Sequence, residues 1–411
     1  MLVHWIWLAT RQNVSDRMKT ELLRHFRDPE EIYFAGKEAF RNVEDLSEEG
    51  FAALQDKDLQ KAEWVLRQCR KESISILTFQ DAGYPARLKN IPDPPVVLYY
   101  KGRLPDFDGT PLIGVVGTRQ ASAYGLTVAK RMGYQIARCG GIVVSGMAKG
   151  IDSMAMGGAL TAGGSVVGVL GCGADMVYPP SNQDLFADTE RYGCILSEFI
   201  PGTPPMAWNF PKRNRIISGL SCGVLVVEAP EKSGALITAN QALEQGRDVF
   251  VVPGNIDVPT FVGSNRLLRD GAIAVSSGWD ILSEYESLYP GKIRRDNANV
   301  HLTAYPDEVQ SAAKVAQKPE TPKKNPAGKP KNDKKVIDKE AQPSYSDVNK
   351  SISNATPEEQ TVICALQNGE RLVDDVIAEV GLPTAKVLSM LTIMEIKGII
   401  KRLPGKRIAL K

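Results

Sequence analysis

The chain of 411 residues is too long for one ordinary domain and long enough to bury more than one core. Its formal net charge is only +2, so any affinity for a polyanion must come from local basic clusters and not from the overall balance. The six cysteines (Cys69, Cys139, Cys172, Cys194, Cys222, Cys364) are scattered without Cys-x-x-Cys spacing, and His4, His25 and His301 lie outside the glycine-rich centre. That pattern predicts reduced thiols, no metal site and no histidine-based acid–base chemistry.

Residues 1–75 carry helical periodicity, with Met18, Leu22, Leu23 and Phe26, then Leu54, Leu59, Ala62, Val65 and Leu66 between polar positions. They predict a small all-helical domain of the SAM-like or helix-hairpin-helix-like kind. Met1–Ala9 turns polar at Thr10 without a basic leader or cleavage site, and no apolar run reaches about 18 residues. A cytoplasmic protein without membrane contact is expected. Residues 76–110 read as an extended, proline-rich connector packing on the next domain, through Asp81-Ala-Gly-Tyr-Pro and Ile91-Pro-Asp-Pro-Pro.

From residue 111 to about 290 short β-branched runs alternate with helical segments: Leu112–Val116, Ile142–Val144, Val166–Leu170, Cys194–Leu196, Gly223–Val227, Val249–Val252 and Ile273–Val275. Such runs predict an α/β, Rossmann-like, mostly parallel sheet with helices on both faces. Residues 291–350 read as a flexible Lys/Pro-rich linker. Between Ala312 and Lys350 stand ten lysines, five acidic residues, five prolines and one aromatic, Tyr345, too little apolar surface to order itself. Residues 351–411 read as a winged helix. Thr356 caps a first helix, a second runs from Leu372 to Val380, a third from Pro383 to about Lys397, and a hairpin follows around Pro404-Gly405.

In a parallel α/β sheet ligands gather beyond the carboxyl ends of the strands, where loops enter helix N-termini. The loop after the first central strand holds Gly117, Thr118 and Arg119. The next holds Ser145, Gly146, Lys149 and Gly150, with Asp152 or Ser153 as the expected N-cap of its helix. Lys212, Arg213, Asn214 and Arg215 form a third basic element preceding a helix-like Ile-Ile-Ser-Gly. Ser233 and Thr238 open another helix, and Asn265 follows near the last loops. Glycine admits close approach, helix N–H groups attract anions, and arginine grips phosphate oxygens pairwise. Together these residues predict a phosphate-binding rim, and cations spread along it suit a polymer strand better than a single nucleotide.

No Gly-x-Gly-x-x-Gly follows the first central strand and no Walker motif occurs, so no dinucleotide or ATP cofactor is expected. Asp152, Glu198 and Glu228 stand near strand ends, where capping or pairing with cations is the expected role, and no nucleophile–base pair stands out. Tyr124, Tyr178, Trp208 and Phe210 lie near the loops as candidate base-stacking rings, and the sequence does not choose among them. Two alternatives are a lysine-decarboxylase-like nucleoside-monophosphate hydrolase and a winged-helix regulator reading duplex DNA. The former carries a Pro-Gly-Gly-x-Gly-Thr motif where this chain has Ser233-Gly-Ala-Leu-Ile-Thr238.

Residues 74 to about 285 resemble the DNA-processing protein A (DprA, or Smf) family. The resemblance rests on Tyr84-Pro85, Ile91-Pro-Asp-Pro-Pro95, Leu98-Tyr99, Gly117-Thr-Arg119, Ser145-Gly146, Lys149-Gly-Ile-Asp152, Gly171 to Pro179, Phe210 to Arg215, Ser233-Gly234 and Pro253-Gly254. It implies a single-stranded-DNA-binding protein that protects incoming DNA and loads the RecA recombinase during natural transformation. It also implies a homodimer formed through the Rossmann-like domain, and strand contacts by Arg119 and Lys149. One departure is Arg11-Gln-Asn-Val-Ser-Asp16, where relatives often carry a Pro-Gly-Ile-Gly hairpin. It removes the usual ground for expecting DNA contact from the helical domain.

Overall fold

The computed structural model describes residues 2–294, 357–366, 369–380, 387, 390, 391, 394, 399–403 and 407–410. The expected linker from residue 295 onward and the Thr356 cap lie outside these residues. The chain divides into two units, residues 1–319 and 320–411.

The first unit opens with five helices: α1 (Leu2–Ala9), α2 (Asp16–His25), α3 (Pro29–Phe34), α4 (Glu48–Gln55) and α5 (Gln60–Lys71). Three start on side-chain caps, Ser15 accepting from the Met18 N–H, Asp28 from Glu30 and Glu31, and Ser47 from Gly50. Their core is Ile6, Trp7, Leu8, Leu22, Leu54 and Val65, all buried.

The proline-rich segment is more than a connector. It supplies β1 (Ser75–Thr78), α6 (Ala86–Lys89) and β2 (Val97–Gly102). β1 pairs antiparallel with β2, which takes its place in the main sheet. The prolines crowd at 92, 94 and 95, just ahead of β2, and leave its N–H groups free to pair. Alternation then splits the strand, with Leu98 packed in the sheet core while Val97 and Tyr99 join the helical domain's core.

The central α/β part follows as β3 (Leu112–Val116), α7 (Ala123–Arg138), β4 (Ile142–Ser145), α8 (Ile151–Thr161), β5 (Val166–Leu170), α9 (Gln183–Tyr192) and β6 (Cys194–Ser197). It continues through α10 (Asn209–Leu220), β7 (Gly223–Val226), α11 (Gly234–Glu244), β8 (Asp248–Val251), α12 (Val262–Arg269), β9 (Ile273–Ala274) and α13 (Gly278–Leu282). The nine strands run in the order β1-β2-β6-β5-β4-β3-β7-β8-β9, and the seven from β6 to β9 are parallel. This is the expected α/β class.

Side-chain alternation builds both faces. Ile113, Val115, Val143, Leu225 and Phe250 pack with α7 and α8, while Leu112, Val116, Val144, Val224 and Val251 pack with α10 and α11. The strand order reverses at β3, with β4 to one side and β7 to the other. The crevice of such a sheet lies outside the carboxyl ends of the strands at that reversal.

The second unit comprises α14 (Pro357–Ala365), β10 (Arg371–Leu372), α15 (Val373–Val380), β11 (Ile400–Leu403) and β12 (Arg407–Leu410), the strands pairing antiparallel in the order β10-β12-β11. Leu372, expected to open the second helix, instead pairs with Arg407. The expected third helix is described only at Val387, Met390, Leu391 and Met394, which are helical and buried.

Candidate nucleic-acid interface

Loops after β3, β4, β5 and β7 and the first turns of α10 and α11 enclose two adjoining concavities. The larger, about 710 Å³, is lined by Gly117 to Gln120, Pro205, Ala207, Phe210, Arg213, Asn214 and Lys232 to Ala235, among others. The smaller, about 340 Å³, is lined by Arg119, Gly146, Lys149, Gly171, Cys172, Tyr178 to Pro180, Phe210 and Arg213. Arg119, Ala148, Tyr178, Phe210 and Arg213 line both, so one cleft runs past the Phe210 ring.

Its electrostatics are one-sided. Four cations (Arg119, Lys149, Arg213, Lys232) face a single carboxylate, Asp152, which is buried and accepts from the Gly146 N–H at 3.1 Å and the Ala148 N–H at 3.4 Å. Arg119 is exposed, its guanidinium carbon 5.2 Å from the Phe210 centroid, and Arg213 lies 6.0 Å from the same centroid. Tyr178 stacks on Phe210 at 5.5 Å and 29°. Arg213 is 3% exposed, donates to the Val169 carbonyl and leaves its Nε without a partner. Burial pushes its guanidinium down to about 10, Arg119 adds to that, and Asp152 opposes it. An anion in the cleft would relieve this crowding of positive charge. The N-termini of α8 and α11, with Gly150 and Ser233 as their N-cap residues, also open at this rim and add N–H donors and positive dipole ends.

Two glycines are required sterically. Gly150 has φ +81°, and a Cβ there would stand 2.5 Å from the Thr118 carbonyl oxygen. A Cβ at Gly146 would stand 2.5 Å from an Arg213 nitrogen. The loops after β3 and β4 thus touch, through Ile151 N–H to Thr118 O at 3.3 Å, and this contact sets Arg119 and Lys149 on one rim. Buried Glu228 fixes the other side, accepting from the Ser122 N–H at 3.0 Å and hydroxyl at 2.8 Å.

The family model for DNA recombination-mediator protein A matches residues 75–286, and the model for the DprA winged helix domain matches residues 347–406. Protein Smf of Synechocystis is 32% identical over 411 residues, covering 98% of this chain and 97% of the relative. The chain belongs to the DNA recombination-mediator protein A family. The DNA processing protein DprA of Bacillus subtilis is 44% identical over 220 residues, 54% of this chain and 74% of the relative. The X-ray structure of DNA processing protein A from Streptococcus pneumoniae superposes with a TM-score of 0.57 at 33% identity, covering 69% of this chain and 98% of that one.

Within this family member's cleft, the expected residues divide. Gly117, Thr118, Arg119, Gly146, Lys149, Arg213, Asn214 and Ser233 line it, and Gly150 shapes it from behind. Ser145 does not reach it, being fully buried and donating to the Val115 carbonyl at 2.6 Å. Thr238 also lines the larger concavity, but it is 1% exposed and its hydroxyl donates back to the Gly234 carbonyl at 3.3 Å. Asn265 is consumed by Gly254, accepting from its N–H at 3.2 Å and donating to its carbonyl at 3.1 Å.

Arg215 is the largest correction. Its buried guanidinium meets Glu198 at 2.8 Å, Asp16 at 3.0 Å and Asp93 at 2.9 Å, tying α10 to the helical domain and the proline-rich segment. Lys212 joins the same cage at 3.2 Å from Asp16 and 3.6 Å from Glu198. The cause is that residues 209–215 lie inside α10 and do not precede it. Asp152 likewise sits inside α8, whose N-cap is Gly150, and bonds back onto its own loop. The reading of the loops missed Lys232, an exposed cation on the cleft, although it stands directly before the Ser233 cap.

Proposed function

We propose that the cleft binds single-stranded DNA through its phosphates, and that the protein protects incoming strands and loads the RecA recombinase on them during natural transformation. The observation that carries the reading is the set of four cations and two helix N-termini around the one carboxylate that lines the cleft, itself internally satisfied, in a member of a recombination-mediator family. A cleft continuing past an aromatic ridge suits a chain of phosphates and bases. Chemistry on the ligand is not part of the reading, since Asp152, Glu198 and Glu228 are each engaged within the protein. Cytoplasmic action and a homodimer formed through the α/β domain belong to the same proposal.

The test compares a labelled oligo-dT with a duplex of equal length at matched salt. Preference for the single strand is expected, and it carries over to faster RecA filament growth on single strands. Equal or stronger duplex binding, with the affinity residing in residues 351–411, would favour a winged-helix duplex reader. Release of free base from nucleoside monophosphates would favour the hydrolase.

A further inference from the structure

Of the four aromatic rings near the cleft, three are already partnered. Tyr178 and Phe210 stack on each other, and Arg119 lies over Phe210. Tyr124 packs on Phe261 at 5.9 Å. Trp208 is different. It is 69% exposed, and no ring or cation contact involves it among the described residues. It is the N-cap residue of α10 but makes no side-chain capping bond, so helix initiation does not explain an indole there. It directly follows Ala207, which with Pro205 lines the larger concavity, and it stands two positions before Phe210, which lines both concavities, while Trp208 itself lines neither. Met206 beside it is also exposed.

A large apolar ring held in water at the mouth of a cationic cleft is the arrangement in which a base of a passing strand gains contact without sequence preference. We propose that Trp208 is a stacking platform for a base of single-stranded DNA just outside the cleft, carrying the strand's path from the Arg119–Phe210 centre over the Pro205–Ala207 lip. The inference rests on the single-strand reading of the cleft and adds to it one binding residue outside the phosphate contacts. An indole contributes stacking and no counterion release, so its loss lowers affinity without changing the salt dependence.

The test uses the full chain with Trp208→Ala and Trp208→Phe, titrated with labelled oligo-dT at several salt concentrations, beside Arg119→Ala. Trp208→Ala is expected to weaken binding by roughly five-fold or more at an unchanged salt slope, and Trp208→Phe to restore most of it. Unlabelled oligo-dT is expected to quench the wild-type tryptophan emission and to lose most of that quench in Trp208→Phe, although the other four tryptophans remain. Wild-type affinity in Trp208→Ala together with a retained quench in Trp208→Phe overturns the platform. If Arg119→Ala still weakens binding in that case, the cleft reading stands without it. If Arg119→Ala is also neutral, the cleft reading itself fails. A fall in self-association on sedimentation, with unchanged oligo-dT affinity, makes Trp208 a protein contact and equally overturns the proposal.

Discussion

Arg215 stands two positions after Arg213, and on an α-helix that is about 200° of rotation, enough to send the two guanidinium groups to opposite sides. Arg213 goes under Phe210 with Asn214 and Ile217 on the same face, and Arg215 goes into the carboxylate cage with Lys212. Arg215→Ala would leave Glu198 buried without its closest partner. It is predicted to destabilise the chain by roughly 3–5 kcal/mol in chemical denaturation, far more than the loss of an exposed arginine. Gly150→Ala forces a side chain into left-handed backbone and against the Thr118 carbonyl. A loss of roughly 1–3 kcal/mol is expected, with weaker oligo-dT binding because Lys149 and Arg119 flank that contact. Wild-type stability and binding in this variant would show that the loop contact is not needed.

At the scale of elements, α10 is held at one side by a helical domain that begins far away in sequence. Asp16 opens α2, and its carboxyl is held down at about 2. Burial alone would raise it, and Lys19, Lys212 and Arg215 together outweigh burial. A depressed carboxyl stabilises the fold above its ordinary value of 3.8, and that contribution is lost as pH falls from there to about 2. The amount is about 2 kcal/mol. Asp16→Asn is predicted to remove this part of the acid sensitivity. Subtracting its stability curve from the wild type isolates Asp16 from Glu198, whose carboxyl burial pushes up, with the opposite sign.

How much of this was legible in the sequence follows from range. The central strands were readable because β-branched runs such as Leu112–Val116 carry their own signal, and Arg119 and Lys149 because they sit in the loops immediately after strands. β2 was hidden by the prolines just ahead of it, whereas Ile74, Ile76 and Leu77 carry a short apolar strand pattern where β1 forms. The Arg215 cage was not legible, because Asp16 lies 199 residues away and pairing at that distance leaves no local pattern. Ser145 was misplaced because its residue type fits a phosphate loop, and only the backbone decides which way a hydroxyl points.

For the whole molecule, a net charge of +2 conceals the concentration of cations at one crevice, so binding should be governed by that crevice and by salt. The helical domain shares its core with Val97 and Tyr99 of β2. Deleting residues 1–74 is therefore predicted to expose apolar surface and lower the thermal midpoint, measurable by calorimetry, while an unchanged midpoint would mean that the packing carries little energy.

The central claim is that Arg119 and Lys149 each hold a phosphate of a single strand. The slope of log affinity for oligo-dT against log salt tests it most directly. Each of Arg119→Ala and Lys149→Ala is predicted to flatten the slope by about 0.7 and the double variant by about twice that. Slopes and affinities equal to the wild type in all three would contradict it.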